Sequence, residues 1–395
     1  MHSGIPAVIV GGSLNALGVI RSLSQGHMPL FVVETTRQAA ACWSRYCGFV
    51  AAPSLNGSPL VSTLVELGKR LGSRPVLILT SDDAVNTISA ARSEIETLYR
   101  ISLPSAEIVP ALAEKTKFQL LAEREGFRVP RGVAVCSIDD CRRIGQLTAP
   151  VVLKPADKSL VLADIVERAV RADTLAEAAQ IAHRMLRQAP RLIVQEWIDG
   201  PETEIFFSLF SCDRDGRLLG LFPGRKLVCS PPMIGTTAVC AAAPEAAVEL
   251  TTQTQTFIDR VGYRGLGSLE FKRESRTGEF VIIEPTVGRT DWQEEIATLC
   301  GINLPLLTYR AEIGLPNLAP PKLAPQAAAW RSSLGFRPPP GFLGEKTKLV
   351  DGFLRWIDPL PAVYHYAYDR GVRRIWRRAK RAVSRRPAAT SKQEA

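Results

Sequence analysis

Three short apolar runs near the start, Ala7 to Gly11, Leu30 to Glu34 and Arg74 to Thr80, are separated by stretches with helical patterning. Runs of four to six apolar residues alternating with helices predict a parallel sheet covered by helices on both faces, because parallel neighbours need a long crossover between them. Ser81-Asp82-Asp83, directly after the third run, suits a helix N-terminus. The spacing Gly11-Gly12…Gly18 does not satisfy G-x-G-x-x-G, so a plain tight turn is expected there rather than a dinucleotide site.

The texture changes after Pro130. A helix over Lys115 to Gly126 leads into strand Val133–Cys136, a helix, strand Val151–Lys154, helix Leu175–Arg187 and strand Leu192–Glu196. Strands Glu204–Cys212 and Leu218–Pro223 then form a hairpin through Asp213–Gly216. A helix over Pro244–Val261 precedes strands Gly267–Lys272 and Glu279–Glu284, joined through Gly278, and Trp292–Cys300 reads as helix. Pro316 to Pro340 holds seven of the 28 prolines and reads as a wrapping linker, followed by an aromatic-rich stretch from Phe353 to Tyr368.

At 395 residues the chain exceeds one core, and two or three lobes are expected. No apolar run is long enough to span a bilayer, and no basic residue precedes the apolar Ala7–Val10, so neither a membrane span nor a signal peptide is expected. The eight cysteines contain no C-x-x-C pair. Cys42/Cys47 and Cys136/Cys141, each five apart, read as reduced thiols.

The net charge of +10 is local. Arg370 to Ala395 carries ten basic side chains against Glu394 alone, whereas the remaining 369 residues carry 39 basic and 38 acidic side chains. Nucleic-acid binding would rest on that tail alone and is not expected. Val372, Ile375, Trp376, Ala379 and Val383 form one stripe at helical spacing, with Arg and Lys on the other face. This pattern suits an anionic membrane surface, with a solvated basic end as the plain alternative.

The candidate chemistry lies between residues 115 and 295. Glu270 in Gly267–Lys272 and Glu284 in Ile282–Thr286 sit on two late strands that can present carboxylates a few ångströms apart, which suits a cation such as Mg²⁺ holding a nucleotide's phosphates. Lys154 ends an apolar strand, where a lysine is seldom placed for solubility, and Lys115 opens a helix. Ammonium groups at such points can hold phosphates. Gln195-Glu196-Trp197-Ile198 runs from a strand into an extended turn, with Glu202 beyond it. Asp291, Glu294 and Glu295 could orient an amine, although carboxylates are favourable at any helix N-terminus.

The order of these parts resembles the ATP-grasp superfamily over roughly Pro110 to Ile313. The resemblance implies an α/β fold, α+β in its later part, in which a parallel-sheet domain (1–110) precedes a small lobe (111–190) and a large lobe (191–315). An extension (316–369) and the basic tail (370–395) follow. It also implies ATP and Mg²⁺. Lys115 and Lys154 match the family's phosphate lysines, Gln195 to Ile198 its adenine hinge, and Glu202 its ribose carboxylate. Glu270 and Glu284 match the magnesium-bridging glutamates. Arg225, Lys226 and Arg289 look like the basic groups that face phosphate and substrate. Where the family usually carries E-x-N, this chain has Glu284-Pro285-Thr286, putting a hydroxyl in place of an amide oxygen as metal ligand. The loop Ala156 to Leu160 lacks the family's glycines.

Within the superfamily, GRKLVCSPPMIGT and IIEPTVGRTDWQEEIA look most like bacterial carboxylate–amine ligases associated with cell-surface polysaccharide production. The implied activity is an ADP-forming ligation of a carboxylate to an amine through an acyl phosphate, in the cytoplasm or at the inner membrane surface. Arg289 is expected to face the acyl phosphate or the carboxylate as a bidentate donor, with a structural salt bridge as its plain alternative. The alternative is a nucleotide-binding regulatory or scaffold protein of the same fold.

Overall fold

The computed structural model describes residues 4–156, 167–316 and 321–372. The front sheet is parallel throughout, in the order β3-β2-β1-β4, from β1 (Ala7–Val10), β2 (Leu30–Glu34), β3 (Cys47–Ala51) and β4 (Val76–Leu79). Every residue of β1 is buried, and its side chains alternate between two cores, Ala7 and Ile9 on one face, Val8 and Val10 on the other. The edge strand β3 is half exposed, which is why no apolar run announced it. Gly11 turns the chain out of β1 at φ +110, where a Cβ would lie 2.5 Å from the Thr80 hydroxyl oxygen.

The middle sheet runs β5-β8-β6-β7 and is antiparallel, from β5 (Gly132–Val135), β6 (Val151–Pro155), β7 (Val170–Ala172) and β8 (Leu192–Glu196). With the helix Leu175–Met185 it encloses a core of its own. The helix expected between β5 and β6 is a 3₁₀ segment, Asp139–Gln146. Asp140 folds back there to accept from the Cys136 and Ser137 amides, each at 3.0 Å.

The large sheet has the order β13-β12-β9-β10-β11-β14-β15. Its members are β9 (Ile205–Cys212), β10 (Leu218–Ser230), β11 (Thr236–Ala242), β12 (Gly265–Arg273), β13 (Phe280–Val287), β14 (Ala328–Arg331) and β15 (Lys348–Asp351). Both expected hairpins form, β9–β10 and β12–β13. The proline-rich stretch does more than wrap. Ala328, Ala329 and Trp330 are buried, and β14 adds to β11 while β15 runs parallel to it. Four-residue strands between prolines carry too little periodicity to be seen in sequence.

The front domain and the large sheet share two cores. Val8 and Leu79 pack into one with Phe206, Phe210 and Phe257, and Ile9 and Leu17 into the other with Phe207 and Trp330. The helix Leu14–Ser24 is buried on nearly all sides. Its Arg21 donates to the carbonyls of Gly352 (2.8 Å) and Phe353 (2.7 Å) and to Asp358 (3.1 Å), fastening the C-terminal segment to the front domain. The eight cysteines are free thiols, six of them buried, and neither pair spaced five apart is bridged.

Candidate active site

The three sheets converge on a cavity of about 440 Å³, within the usual range for a small-molecule site. The cavity face of the large sheet follows from strand alternation. Along β12, Ser268, Glu270 and Lys272 point the same way, and Glu284 and Thr286 of β13 are the register partners of Glu270 and Ser268. The expected pair of opposed carboxylates is therefore present, Glu270 directly across from Glu284.

Cations surround this pair. Lys226 of β10 is buried and ion-paired with Glu270 Oε2. Burial alone would lower its pKa, but Glu270, with smaller contributions from Cys229 and Asp291, raises it. Lys154 of β6 reaches the cavity from the small lobe and donates to Gln195 Oε1 at 3.2 Å. Burial pushes Lys154 below the usual lysine range, with Glu284 and Glu270 opposing the shift. Lys115, the first residue of helix Lys115–Arg124, also lines the cavity.

Gln195, Glu196, Trp197 and Ile198 form the expected strand-to-turn wall. The Glu196 and Trp197 amides donate to Arg131 O (2.8 Å) and Pro150 O (2.9 Å), and Ile198 lies beyond the last of these pairings. The Gln195 side chain donates to Gln119 (2.8 Å), so it braces Lys154 against the helix that Lys115 opens. Lys272 closes the far side, donating to Gly200 O (2.7 Å) and Pro201 O (2.6 Å). Burial lowers its pKa to about 8.

The end of the cavity at the front sheet holds residues that the sequence did not mark as site residues. Ser13, Asn15, Thr80, Ser81 and Asp82 reach the cavity from the C-terminal ends of β1 and β4. The crevice at the carboxyl ends of parallel strands is the general signal that could have found them. Arg289 also lines this end, and its Nε donates to Asp82 at 2.7 Å while Nη1 donates to Thr290 O at 3.0 Å. Arg289 is thus half engaged by a salt bridge, and among the described residues Nη2 is its one nitrogen without a partner, so the Nε side of the fork expected to meet a substrate is already taken by Asp82. Burial would lower its pKa, but Asp82, Asp291 and Glu284 together raise it. Gly288, at φ +68 and packed against Leu103, sets the direction of this arginine.

Thr286 donates to Asp291 Oδ1 (2.7 Å), and Ser268 donates to Oδ2 (2.9 Å). The hydroxyl expected as a metal ligand therefore holds a carboxylate at the cavity wall. Of the three acids near residue 293, only Asp291 lines the cavity. Glu294 is buried against Ser22 and Thr298, and Glu295 against Arg21 and Arg355, so neither can orient a substrate.

Two further expectations are corrected. Arg225 neighbours Lys226 on β10 and so points to the opposite face of the sheet. Its guanidinium is sandwiched between Phe206 (4.9 Å) and Phe342 (5.3 Å) and paired with Glu204 (2.7 Å), away from the cavity. Glu202 accepts from the Cys229 and Met233 amides, both at 3.2 Å, and fastens the loop whose residues 233–237 line the cavity instead of lining it itself. Residues 157–160 of the glycine-poor loop lie outside the described residues, as do those of the basic stripe beyond residue 372; the Val372 side chain is likewise not described.

No protein-family model matches the chain. Among curated proteins it is similar to a D-aspartate ligase of Enterococcus faecium (strain Aus0004), 21% identical over an alignment of 316 residues that covers 75% of this chain and 74% of the relative. Among solved structures it resembles N5-carboxyaminoimidazole synthetase from Staphylococcus aureus complexed with ADP. There the TM-score is 0.64 at 12% identity, covering 82% of this chain and 81% of that one. It also resembles the biotin carboxylase domain of Hydrogenobacter thermophilus 2-oxoglutarate carboxylase in complex with MgADP. That TM-score is 0.62 at 15% identity, covering 80% and 71% of the two chains. The chain has the ATP-grasp fold, with a parallel α/β domain in front.

Proposed function

We propose that this ATP-grasp protein is an ADP-forming carboxylate–amine ligase that binds Mg-ATP in the cavity between its sheets. The observation that supports this most is the direct pairing of Glu270 with Glu284 in a cavity that Lys154 and Lys226 also enter. The ligase and synthetase names of the similar proteins, and the ADP in two of the structures, point the same way.

The donor set fits Mg²⁺. The ion takes one or two protein carboxylates and completes its shell with water and phosphate oxygens. Among the described residues no three His, Cys, Asp or Glu side chains cluster closely enough to hold a metal alone, so the nucleotide would complete the site. Glu270 and Glu284 would hold the ion, with the Thr286 hydroxyl two residues from Glu284. Bound there, Mg²⁺ would offset charge on the transferring phosphoryl group.

The chain's own residues carry the rest. Lys115 and Lys154 hold phosphate oxygens, and the 195–198 wall takes the base. A substrate carboxylate oxygen bonds to the γ-phosphorus as the β–γ bridging bond breaks, and ADP leaves with the electron pair. The amine nitrogen then attacks the acyl carbon, phosphate leaves, and the nitrogen loses its proton to give the amide. Phosphoryl transfer is mostly positioning and electrostatics, which is what fixed ammonium groups supply. Arg289 Nη2 meets the carboxylate, and Asp291 orients the amine.

ADP release, measured with mixtures of small carboxylates and amines, tests the reading. It expects ADP formation that needs both partners and a product heavier by the amine less water. Nucleotide binding without ADP release across the mixtures would instead favour a regulatory or scaffold role, to which Thr286 in place of Asn points. We place the reaction on the cytoplasmic side, where ATP is available. Among the described residues no helix is long and apolar enough to cross a membrane.

A further inference from the structure

Six of the thirteen exposed large hydrophobic side chains among the described residues lie between positions 354 and 368: Leu354, Trp356, Ile357, Leu360, Val363 and Tyr368. Trp356 is 90% exposed and Ile357 67%. Single exposed apolar residues are ordinary, but a run of them is not.

These side chains are displayed by a fixed turn. Asp358, next to Ile357, is only 1% exposed and accepts from Arg21 Nε (3.1 Å), Ser44 Oγ (3.0 Å) and the Arg45 amide (3.0 Å). On the other side Arg355 pairs with the buried Glu295 at 2.7 Å, and Phe353 stacks on His365 with ring centroids 3.6 Å apart. The backbone carrying Trp356 and Ile357 is thus tied down at both ends while the two side chains face outward. In the following helix Leu360–Val363, the first and last residues lie one turn apart on one side, and both are exposed.

We propose that the turn around Trp356 and Ile357, with Leu360 and Val363, docks the protein on an anionic lipid surface. Charge selects the occupant. The patch leads directly into residues 370–395, whose sequence carries ten basic side chains against one acidic, while the rest of the chain is nearly neutral. Apolar tips followed in sequence by a basic run match a bilayer that offers hydrocarbon beneath anionic headgroups, and tryptophan is favoured at that boundary. A second copy seated on this patch would put two such basic runs into one assembly, which repulsion opposes. A nucleic acid would satisfy the basic run but leave the apolar tips in water. The proposal is independent of the ligase reading.

Co-sedimentation of the full chain with vesicles of phosphatidylcholine and phosphatidylglycerol, 3:1, against phosphatidylcholine alone tests it. Trp356→Ser with Ile357→Ser should weaken partitioning onto the anionic vesicles by about tenfold or more, because the lost apolar burial is worth at least one decade. The melting temperature should change little, since both side chains are largely exposed. Brominated lipid should quench tryptophan emission in the natural chain and less in Trp356→Phe. Equal binding of the double variant would overturn the role of the turn, as would absence of quenching. Concentration-dependent dimerisation that the double variant abolishes, without vesicle binding, would identify a second copy as the occupant and overturn the lipid assignment.

Discussion

The Thr286 hydroxyl lies 2.7 Å from Asp291 Oδ1 and donates to it, while Ser268 secures the other oxygen at 2.9 Å. Replacing Thr286 with Val strips a half-buried carboxylate of one donor, at a cost of about 1–3 kcal/mol, or roughly ten- to hundredfold in kcat/KM. Thr286→Asn keeps an N–H donor and should stay within a few-fold of the natural chain. ADP formation against Mg²⁺ concentration checks both. Natural activity in Thr286→Val would make this bond idle.

Glu270→Gln and Glu284→Gln should each lower Mg²⁺-dependent ADP formation about 10²–10³-fold, equivalent to roughly 3–4 kcal/mol of transition-state stabilisation. Their stabilities should differ. Glu270→Gln leaves the buried Lys226 without its counter-charge, so it should melt lower than Glu284→Gln. Denaturation curves beside the activity assay separate the two effects, and equal activity in both variants and the natural chain would refute the metal assignment.

Nucleotide affinity should depend on pH through Lys154. Burial lowers its pKa, so its ammonium is lost at a lower pH than an ordinary lysine's, and ADP binding should weaken as pH rises into that range. Lys154→Arg keeps its charge and should remove the alkaline decline even where it weakens binding overall. Calorimetry of ADP binding between pH 7 and 10 measures this; an identical decline in both proteins would assign it to another group.

Glu294 is buried, and its pKa is pushed up to about 8, first by burial and then by Glu295. A carboxyl whose folded pKa lies above its unfolded value of about 4.3 contributes stability below that value and loses it as pH rises through 8. Glu294→Gln mimics the protonated acid, so it should melt close to the natural chain at pH 5 and clearly above it at pH 8.5. Melting curves at the two pH values suffice, and a constant gap would show that Glu294 does not titrate in this window.

The local patterns were legible. Apolar runs marked β1, β2 and β4, turn residues marked both hairpins, and carboxylates and a lysine on strands named Glu270, Glu284 and Lys154, because a strand's two faces are written in the parity of its residues; Lys115 was marked as the residue that opens a helix. That same parity separates Lys226 from Arg225, but only once the cavity face is known, and which face that is depends on the strands of β9, β12 and β13 beside them. The tertiary structure alone decided the pairings at the front-sheet end of the cavity. Asp82 and Arg289 are 207 residues apart, and Asn15 and Asp291 are 276 apart, yet each pair is in hydrogen-bond contact. Sequence patterns report periods of two and 3.6 residues, whereas these contacts come from packing the front domain's helix and strand ends onto the large sheet through a shared core, a long-range burial that leaves no local period behind.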